Sequence, residues 1–405
     1  MTVTASATYR DVFAVGEFRA LFAAHLLSLL GDQLSKVAIS VLVFGATGST
    51  LLAAIAFGVS YLPWVVIGPV LTALSDRFPR RTVMVACDLA RAVLIGLLVI
   101  PGLPTAMQVI MLFASAVFAP PAQAARSATL PEVLDGDKYV VAGGVNELSH
   151  QLAQVIGFAG GGALVSVLPA RGALLVDAAT FAISALLVAA FVHRRPVAAR
   201  RERTTVARDT AEGVRLVMSD RRLRAYVMLA CIGAACTIAP EGLMTAYAAR
   251  LGGGESTAGL LLAAMPLGCV VAAIVYGRFT APARRWRLVR PMALLSCLAL
   301  VPMLADPPVW AVLALLVVAG YGTGFQVALN ARFVQAVPAA HRGKAFGVAV
   351  AGMMGGSGLA TALAGALADL FGNPALVVGL CGVAGVGLMA LVRWPHHGGP
   401  LHSVE

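Results

Sequence analysis

The sequence predicts an all-α membrane protein, with twelve transmembrane helices arranged as two six-helix bundles related by a pseudo-twofold axis. Three observations predict it. The chain is 59% hydrophobic over 405 residues, and apolar runs near the roughly 20 residues needed to cross a bilayer recur along its whole length. Positive charge is concentrated in alternate loops. Landmarks of the first half return in the second at an almost constant offset.

The runs are expected to be helices because hydrocarbon leaves every backbone polar group to be paired within the segment. Ala, Leu and Gly abound and strict alternation is missing, which argues against barrel strands. In the first half the spans are placed near 18–45, 51–71, 83–100, 106–122, 141–168 and 173–192. In the second half they fall near 225–249, 257–279, 289–305, 309–331, 345–369 and 375–393. Breaks coincide with turn chemistry at Gly48-Ser49, Pro101-Gly102, Pro169, Asp306-Pro307-Pro308 and Gly372-Asn373-Pro374. Met1 to Gly16 lacks the apolar core of a cleavable leader, so the first span is expected to serve as its own insertion signal.

The net charge of +11 is nearly all arginine, and its placement points to a membrane rather than to nucleic acid. Arg77, Arg80, Arg81, Arg126, Lys138, Arg284, Arg285, Arg287, Arg290, Arg342 and Lys344 fall in loops of one side; the other side holds little beyond Arg171 and Arg250. By the positive-inside rule the basic side and both termini are cytoplasmic. The six cysteines, Cys87, Cys231, Cys236, Cys269, Cys297 and Cys381, lie in apolar spans without ligand spacing. They read as packing residues, and no metal is expected.

Domain boundaries follow the one long polar connection. Residues 1–192 form the first bundle, 193–224 a cytoplasmic linker and 225–405 the second bundle with a short tail. The linker holds ten arginines, and Val214, Val217 and Met218 share one side of a short helix suited to an inner leaflet containing anionic lipid. Phe18-Arg19 recurs as Leu223-Arg224 at an offset of 205, Arg80-Arg81 as Arg284-Arg285 at 204, and Arg126 as Arg332 at 206. A duplicated six-helix unit explains these offsets, and parallel repeats of this kind mark secondary transporters.

The loop Thr72-Ala-Leu-Ser-Asp-Arg-Phe-Pro-Arg-Arg81 resembles the Gly-x-x-x-Asp-Arg-x-Gly-Arg-Arg pattern of the major facilitator superfamily, with Asp76, Arg77, Arg80 and Arg81 in register and Thr72 and Pro79 in place of the glycines. Gly157-Phe158-Ala159-Gly160-Gly161-Gly162 is similar to the Gly-Pro-x-x-Gly-Gly element of drug antiporters, with Phe158 at the proline position. Gly31-Asp32, Leu62-Pro63, Asp177-Ala178-Ala179-Thr180-Phe181 and Glu212-Gly213-Val214-Arg215 resemble the bacterial exporter branch that includes macrolide and enterobactin efflux proteins. The resemblance implies alternating access by two rocking halves in the bacterial inner membrane, with a small-molecule substrate and a monomer as the working unit.

Candidate site residues follow from charge in apolar surroundings. Asp32 lies midway along the first span, one turn before Lys36; the pair can share a face and serve proton coupling or substrate binding. Glu241, beside Pro240, is the repeat counterpart of Lys36 and is expected to reach a central cavity from the opposite wall. Asn146, His150 and Gln154, four residues apart, form a polar stripe with Glu147 beside it. The stripe leads to Gly157, Gly161 and Gly162, which allow close helix approach. Tyr321, Gln326 and Asn330 give the tenth span a polar side. Asp88 and Arg91, three apart, are expected to neutralise one another, and Asp177 to make a helix-end contact. Asp76, Arg77, Arg80 and Arg81, with Arg126 and Arg332 at matching helix ends, are candidates for a cytoplasmic gate.

No His-Glu-x-x-His, Gly-x-Ser-x-Gly or phosphate-cradling Gly-x-x-x-x-Gly-Lys-Ser/Thr pattern occurs. The expectation is therefore a non-enzyme without cofactors or direct ATP coupling, and the exporter resemblance implies proton-driven export of an amphipathic or drug-like compound. Uptake, facilitated diffusion and a non-transporting membrane sensor are the alternatives.

Overall fold

In a computed structural model the protein is helical throughout the residues described, which are 8–66, 77–195, 206–338 and 341–392. A short α1 (Tyr9–Phe13) is opened by a reciprocal Thr8–Asp11 cap. It leads into α2 (Gly16–Thr47), which stops at Gly48 in the left-handed region, φ 66°, a conformation that costs glycine nothing. Ser49 then caps α3 (Thr50–Gly58) by accepting from the Leu52 amide. A single tighter turn at Val59–Tyr61 joins α3 to α4 (Leu62–Val66). Pro79, Pro104 and Pro169 each sit at a start, of α5 (Arg80–Leu97), α6 (Thr105–Val117) and α9 (Ala170–Phe191). Proline is tolerated there because its missing N–H would have no partner in a first turn. Between α6 and α9 run α7 (Ala119–Val133) and α8 (Asp137–Val167).

The linker contains α10 (Val206–Ser219), and Asp220 caps the next helix, α11 (Arg221–Ile238), through the Arg222 and Leu223 amides. Pro240 and Glu241 fall in a 3-10 turn, Ala239–Leu243, that breaks this span before α12 (Met244–Arg250). The second bundle continues as α13 (Glu255–Phe279), α14 (Pro282–Leu298), α15 (Val309–Gly322), α16 (Phe325–Ala336), α17 (Arg342–Phe371) and α18 (Pro374–Leu391).

Nine helical stretches among the described residues are long and apolar enough to cross a membrane. The other three predicted spans fall on the shorter stretch Thr50–Val65, and on α5 and α8, which carry Asp88 with Arg91 and Glu147 with His150. Large apolar side chains such as Leu186, Phe279, Leu370 and Leu391 point outward, as lipid-facing surfaces require.

Within the first half α2 packs on α8 and α9, and α9 on α5. The halves meet through α8 against α13 and α3 against α17. Glycine makes both approaches possible: a β-carbon at Gly162 would lie 2.7 Å from the Gly259 Cα, and one at Gly365 would lie 3.0 Å from the Leu51 Cα. One apolar core, with Val37, Phe57 and Phe158 from the first half and Leu243, Met244, Tyr247 and Leu261 from the second, fills this end of the molecule. The linker helix is tied to the second half. Lys344 Nζ donates to Glu212 Oε2 at 2.5 Å, and Gly213 packs against the Lys344 carbonyl. That bond from Lys344, with a second from Arg208 Nε to Oε1 at 3.1 Å, holds the Glu212 carboxyl below its ordinary range.

Candidate functional site

The contacts between halves run from the α2–α3 turn down α3 and α17 to Val65 and Gly355. At the sealed end Ser40 on α2 and Thr245 on α12 share a buried hydrogen bond of 2.8 Å. Asp369 on α17 accepts from Ser49 Oγ at 2.6 Å, the Thr50 amide at 2.6 Å and the Leu51 amide at 3.2 Å. A carboxylate of one half thus caps the first turn of a helix in the other, where free amides and the helix dipole favour negative charge.

Below this seal lies a cavity of about 630 Å³ lined by both halves. It continues into a smaller chamber of about 370 Å³ lined by the first half and including His25, Gln123, Arg126 and Asn146. Asp32, Trp64, Arg91, Glu147 and His150 border both. Since the seal is at the far end, the cavity faces the end that carries the linker helix.

Several expected residues are brought together here. Asp32, Lys36, Glu241, Glu147, His150, Gln154 and Gln326 line the larger space, and Asn146 the smaller. Gln154 Nε2 and His150 Nε2 are 2.8 Å apart, as their spacing on one face of α8 predicts. Tyr321 packs on the apolar core of the second half, and Asn330 is exposed, so the polar side of the tenth span reaches the cavity through Gln326. Gly157 and Gly161 meet α2 at Gln33 and Leu34, while Gly162 meets α13. Phe158, at the position where proline was the comparison, stacks on Phe57 at 6.4 Å.

The charge pairing departs from local spacing. Arg91 on α5 donates to Asp32 on α2, not to Asp88 on its own helix, and its guanidinium sits 4.1 Å over the Phe181 ring. Asp88 accepts from Ser184 Oγ at 2.6 Å, and Ser184 in turn from Ser28 at 3.1 Å. Lys36, freed from Asp32, lies 5.4 Å and 5.2 Å over the Phe57 and Tyr61 rings. It stays within electrostatic reach of Glu241 across the cavity and, less strongly, of Asp32. Asp177, expected at a helix end, is fully buried and accepts from Ser35 Oγ. Side chains three or four apart on a helix are neighbours only if both point into the same groove, and here neighbouring helices offer closer partners.

Among the described residues, the gate candidates make their side-chain bonds within one half. Arg80 donates to Glu132 and to the Ala128 carbonyl, and Arg81 to the Ala189 carbonyl, all within the first half. Arg77 is exposed, and Asp76 lies outside the described residues. Arg126 contacts His25 Nδ1 at 2.6 Å and Gln123 Oε1 at 3.2 Å. Arg332 stacks over Trp286 at 5.3 Å. His25 carried no signal in the sequence beyond being a polar residue in an apolar run. Asp369 had none, because its partners are 318 to 320 residues away.

Comparison with known proteins agrees with this fold. The Major Facilitator Superfamily model matches residues 21–253 and 240–403. Macrolide efflux protein A of Streptococcus pyogenes is 23% identical over 220 residues, 53% of this chain and 54% of that protein. The MFS-type transporter YkuC of Bacillus subtilis (strain 168) is 25% identical over 235 residues, 54% of this chain and 53% of that protein. The chain thus spans about half the length of the curated relatives it matches. Among solved structures, a bacterial homolog of the human lysosomal transporter Spinster, inward-facing and occupied, superposes with a TM-score of 0.71 at 14% identity, covering 95% of this chain and 92% of that one. A POT family transporter in complex with a thioalcohol-conjugated peptide gives 0.70 at 12% identity, covering 92% and 95%. At such identities these two matches speak for the fold.

Proposed function

The chain belongs to the Major Facilitator Superfamily, and on that premise we propose that it is a proton-coupled exporter of a small amphipathic or drug-like compound, working by alternating access. One observation carries the reading: Lys36 and Glu241, from opposite halves, face a single cavity that contacts between the halves seal at one end. Charges at that place interact with each other and with whatever enters between them. A ligand or proton can favour one arrangement of the halves only through differential affinity for the two. Phe57, Trp64, Met265, Met353 and Met354 supply apolar wall for an amphipathic guest.

The membrane in this reading is the bacterial inner membrane, with both termini and the arginine-rich linker cytoplasmic, an orientation that the loop charges support. The sealed end is then periplasmic, and the conformation faces inward. The macrolide relative suggests the first probe. In inverted vesicles, radiolabelled macrolide should accumulate when a proton gradient is imposed and leak out when an uncoupler collapses it. Flux indifferent to the gradient would point instead to facilitated diffusion. Binding without flux would point to a sensor.

A further inference from the structure

Asp177 is surrounded as a neutral carboxylic acid would be. It is fully buried on α9, and among the described residues no Lys or Arg lies within ion-pair distance of it. Ser35 Oγ, across on α2, donates to Oδ2. Thr180 has one hydroxyl hydrogen, and the nearer acceptor is the Asp177 carbonyl at 2.7 Å rather than Oδ1 at 3.3 Å. With that hydrogen on the carbonyl, the Thr180 oxygen turns a lone pair toward Oδ1. Such a contact opposes a carboxylate and suits a carboxyl O–H. Gly31 of α2 adjoins both groups so closely that a β-carbon there would overlap them.

The charged groups facing Asp177 are Asp32 from α2 and Arg91 from α5. They are engaged with each other, and the Arg91 guanidinium rests on Phe181, one helical turn from Asp177. An ionised Asp177 would therefore be a second carboxylate beside a single arginine; although Asp177 borders the larger cavity it has no accessible surface, so an unpaired charge there is costly.

We propose that Asp177 is a proton-binding site: its carboxyl holds a proton on Oδ1 toward Thr180, accepts from Ser35 on Oδ2, and exchanges the proton with cavity water through Asp32. In that exchange the O–H bond of Asp177 breaks and one forms on Asp32. Arg91 then changes partner from Asp32 to the newly ionised Asp177. The arginine keeps one carboxylate throughout, so no unpaired charge is created in the membrane. The use of this proton in transport rests on the coupled-export reading; the protonation itself does not.

Infrared spectroscopy of the full-length protein in lipid nanodiscs separates the two. The wild-type protein in neutral buffer should show a carboxylic acid C=O band that disappears in Asp177→Asn and weakens in Asp32→Asn, where Arg91 is left to pair with an ionised Asp177. Ser35→Ala, a small change that preserves the fold, should move that band to higher frequency by removing the bond to the carbonyl oxygen. A band unaltered by Asp177→Asn, or unmoved by Ser35→Ala, overturns the proposal. Gradient-driven macrolide accumulation in inverted vesicles should be lost in Asp177→Asn, while exchange of labelled for unlabelled macrolide at equal pH persists. If gradient-driven flux persists in that variant, Asp177 is not the coupling acid. If wild-type flux ignores the gradient, coupled export falls, and the infrared band alone decides the proton site.

Discussion

Replacing Asp369 by alanine should open the sealed end of the cavity. Its carboxylate accepts from Ser49 Oγ, the Thr50 amide and the Leu51 amide at 2.6, 2.6 and 3.2 Å, and all three belong to the other half, so the bonds exist only while that end is closed. Fully buried, each charge-assisted bond would contribute about 1.5–3 kcal/mol. Asp369 is exposed, however, and water replaces much of what is lost. Ser49 also keeps its own cap on Leu52, so α3 remains helical without the carboxylate. The scale that applies is a helix N-cap, about 0.5–2 kcal/mol on substitution, with the helix dipole adding about 0.3–1 kcal/mol. A total of about 1–3 kcal/mol corresponds to roughly a 5- to 150-fold change in an equilibrium constant. Spin labels at Ala46 and Leu370, both exposed at the sealed end, would read it by double electron–electron resonance. Asp369→Ala should transfer population to a longer distance, and Asp369→Asn, which keeps an acceptor oxygen, should do so less. An identical distance distribution in Asp369→Ala would refute the claim that this cap holds the halves together.

Three further outcomes follow from named contacts. Asp32→Asn removes the partner of a buried arginine, and breaking such a pair costs about 3–5 kcal/mol; with the Asp32 side chain 30% exposed and Asp177 able to ionise in its place, the lower end or less is expected, read as a fall in the thermal unfolding midpoint that Arg91→Met in the same chain partly restores. Gly162→Ala places a β-carbon 2.7 Å from both the Glu255 carbonyl oxygen and the Gly259 Cα; backbone cannot yield cheaply, so the variant should disfavour the sealed state and lengthen the same spin-label distance. The Glu212 carboxyl, held low first by Lys344 and then by Arg208, stays ionised below the ordinary glutamate value of about 4.3. Its tether therefore contributes fully above that value and is lost as pH falls through the depressed one. Hydrogen exchange of α10 should accordingly be unchanged on mild acidification and rise only in stronger acid, whereas Glu212→Gln should raise it already at neutral pH.

Much of this protein was legible in its sequence. Apolar runs of membrane-spanning length, the loop arginines and the offset near 205 residues gave the helical class and the repeat, because hydrocarbon allows so few ways to satisfy a backbone. Periodicity along one helix placed Asn146, His150 and Gln154 on a common face, and the glycines of α8 announced close approach. The choice of Lys36 and Glu241 came from the repeat, which maps a wall of one half onto the facing wall of the other.

Tertiary structure decided what lies between helices. Arg91 had Asp88 three residues away and took Asp32, 59 residues away. Asp177 found Ser35 at a separation of 142 residues, and Asp369 found Ser49 at 320. Which partner a charge takes depends on the rotation and axial offset of two packed helices. Those are set by side-chain packing over their whole contact surface, a sum that no local spacing contains. The amino-acid sequence alone therefore determined which segments enter the membrane and which side chains share a helix face, while the packed bundle chose which charges pair, which acid lies buried beside an already engaged ion pair, and which end is closed.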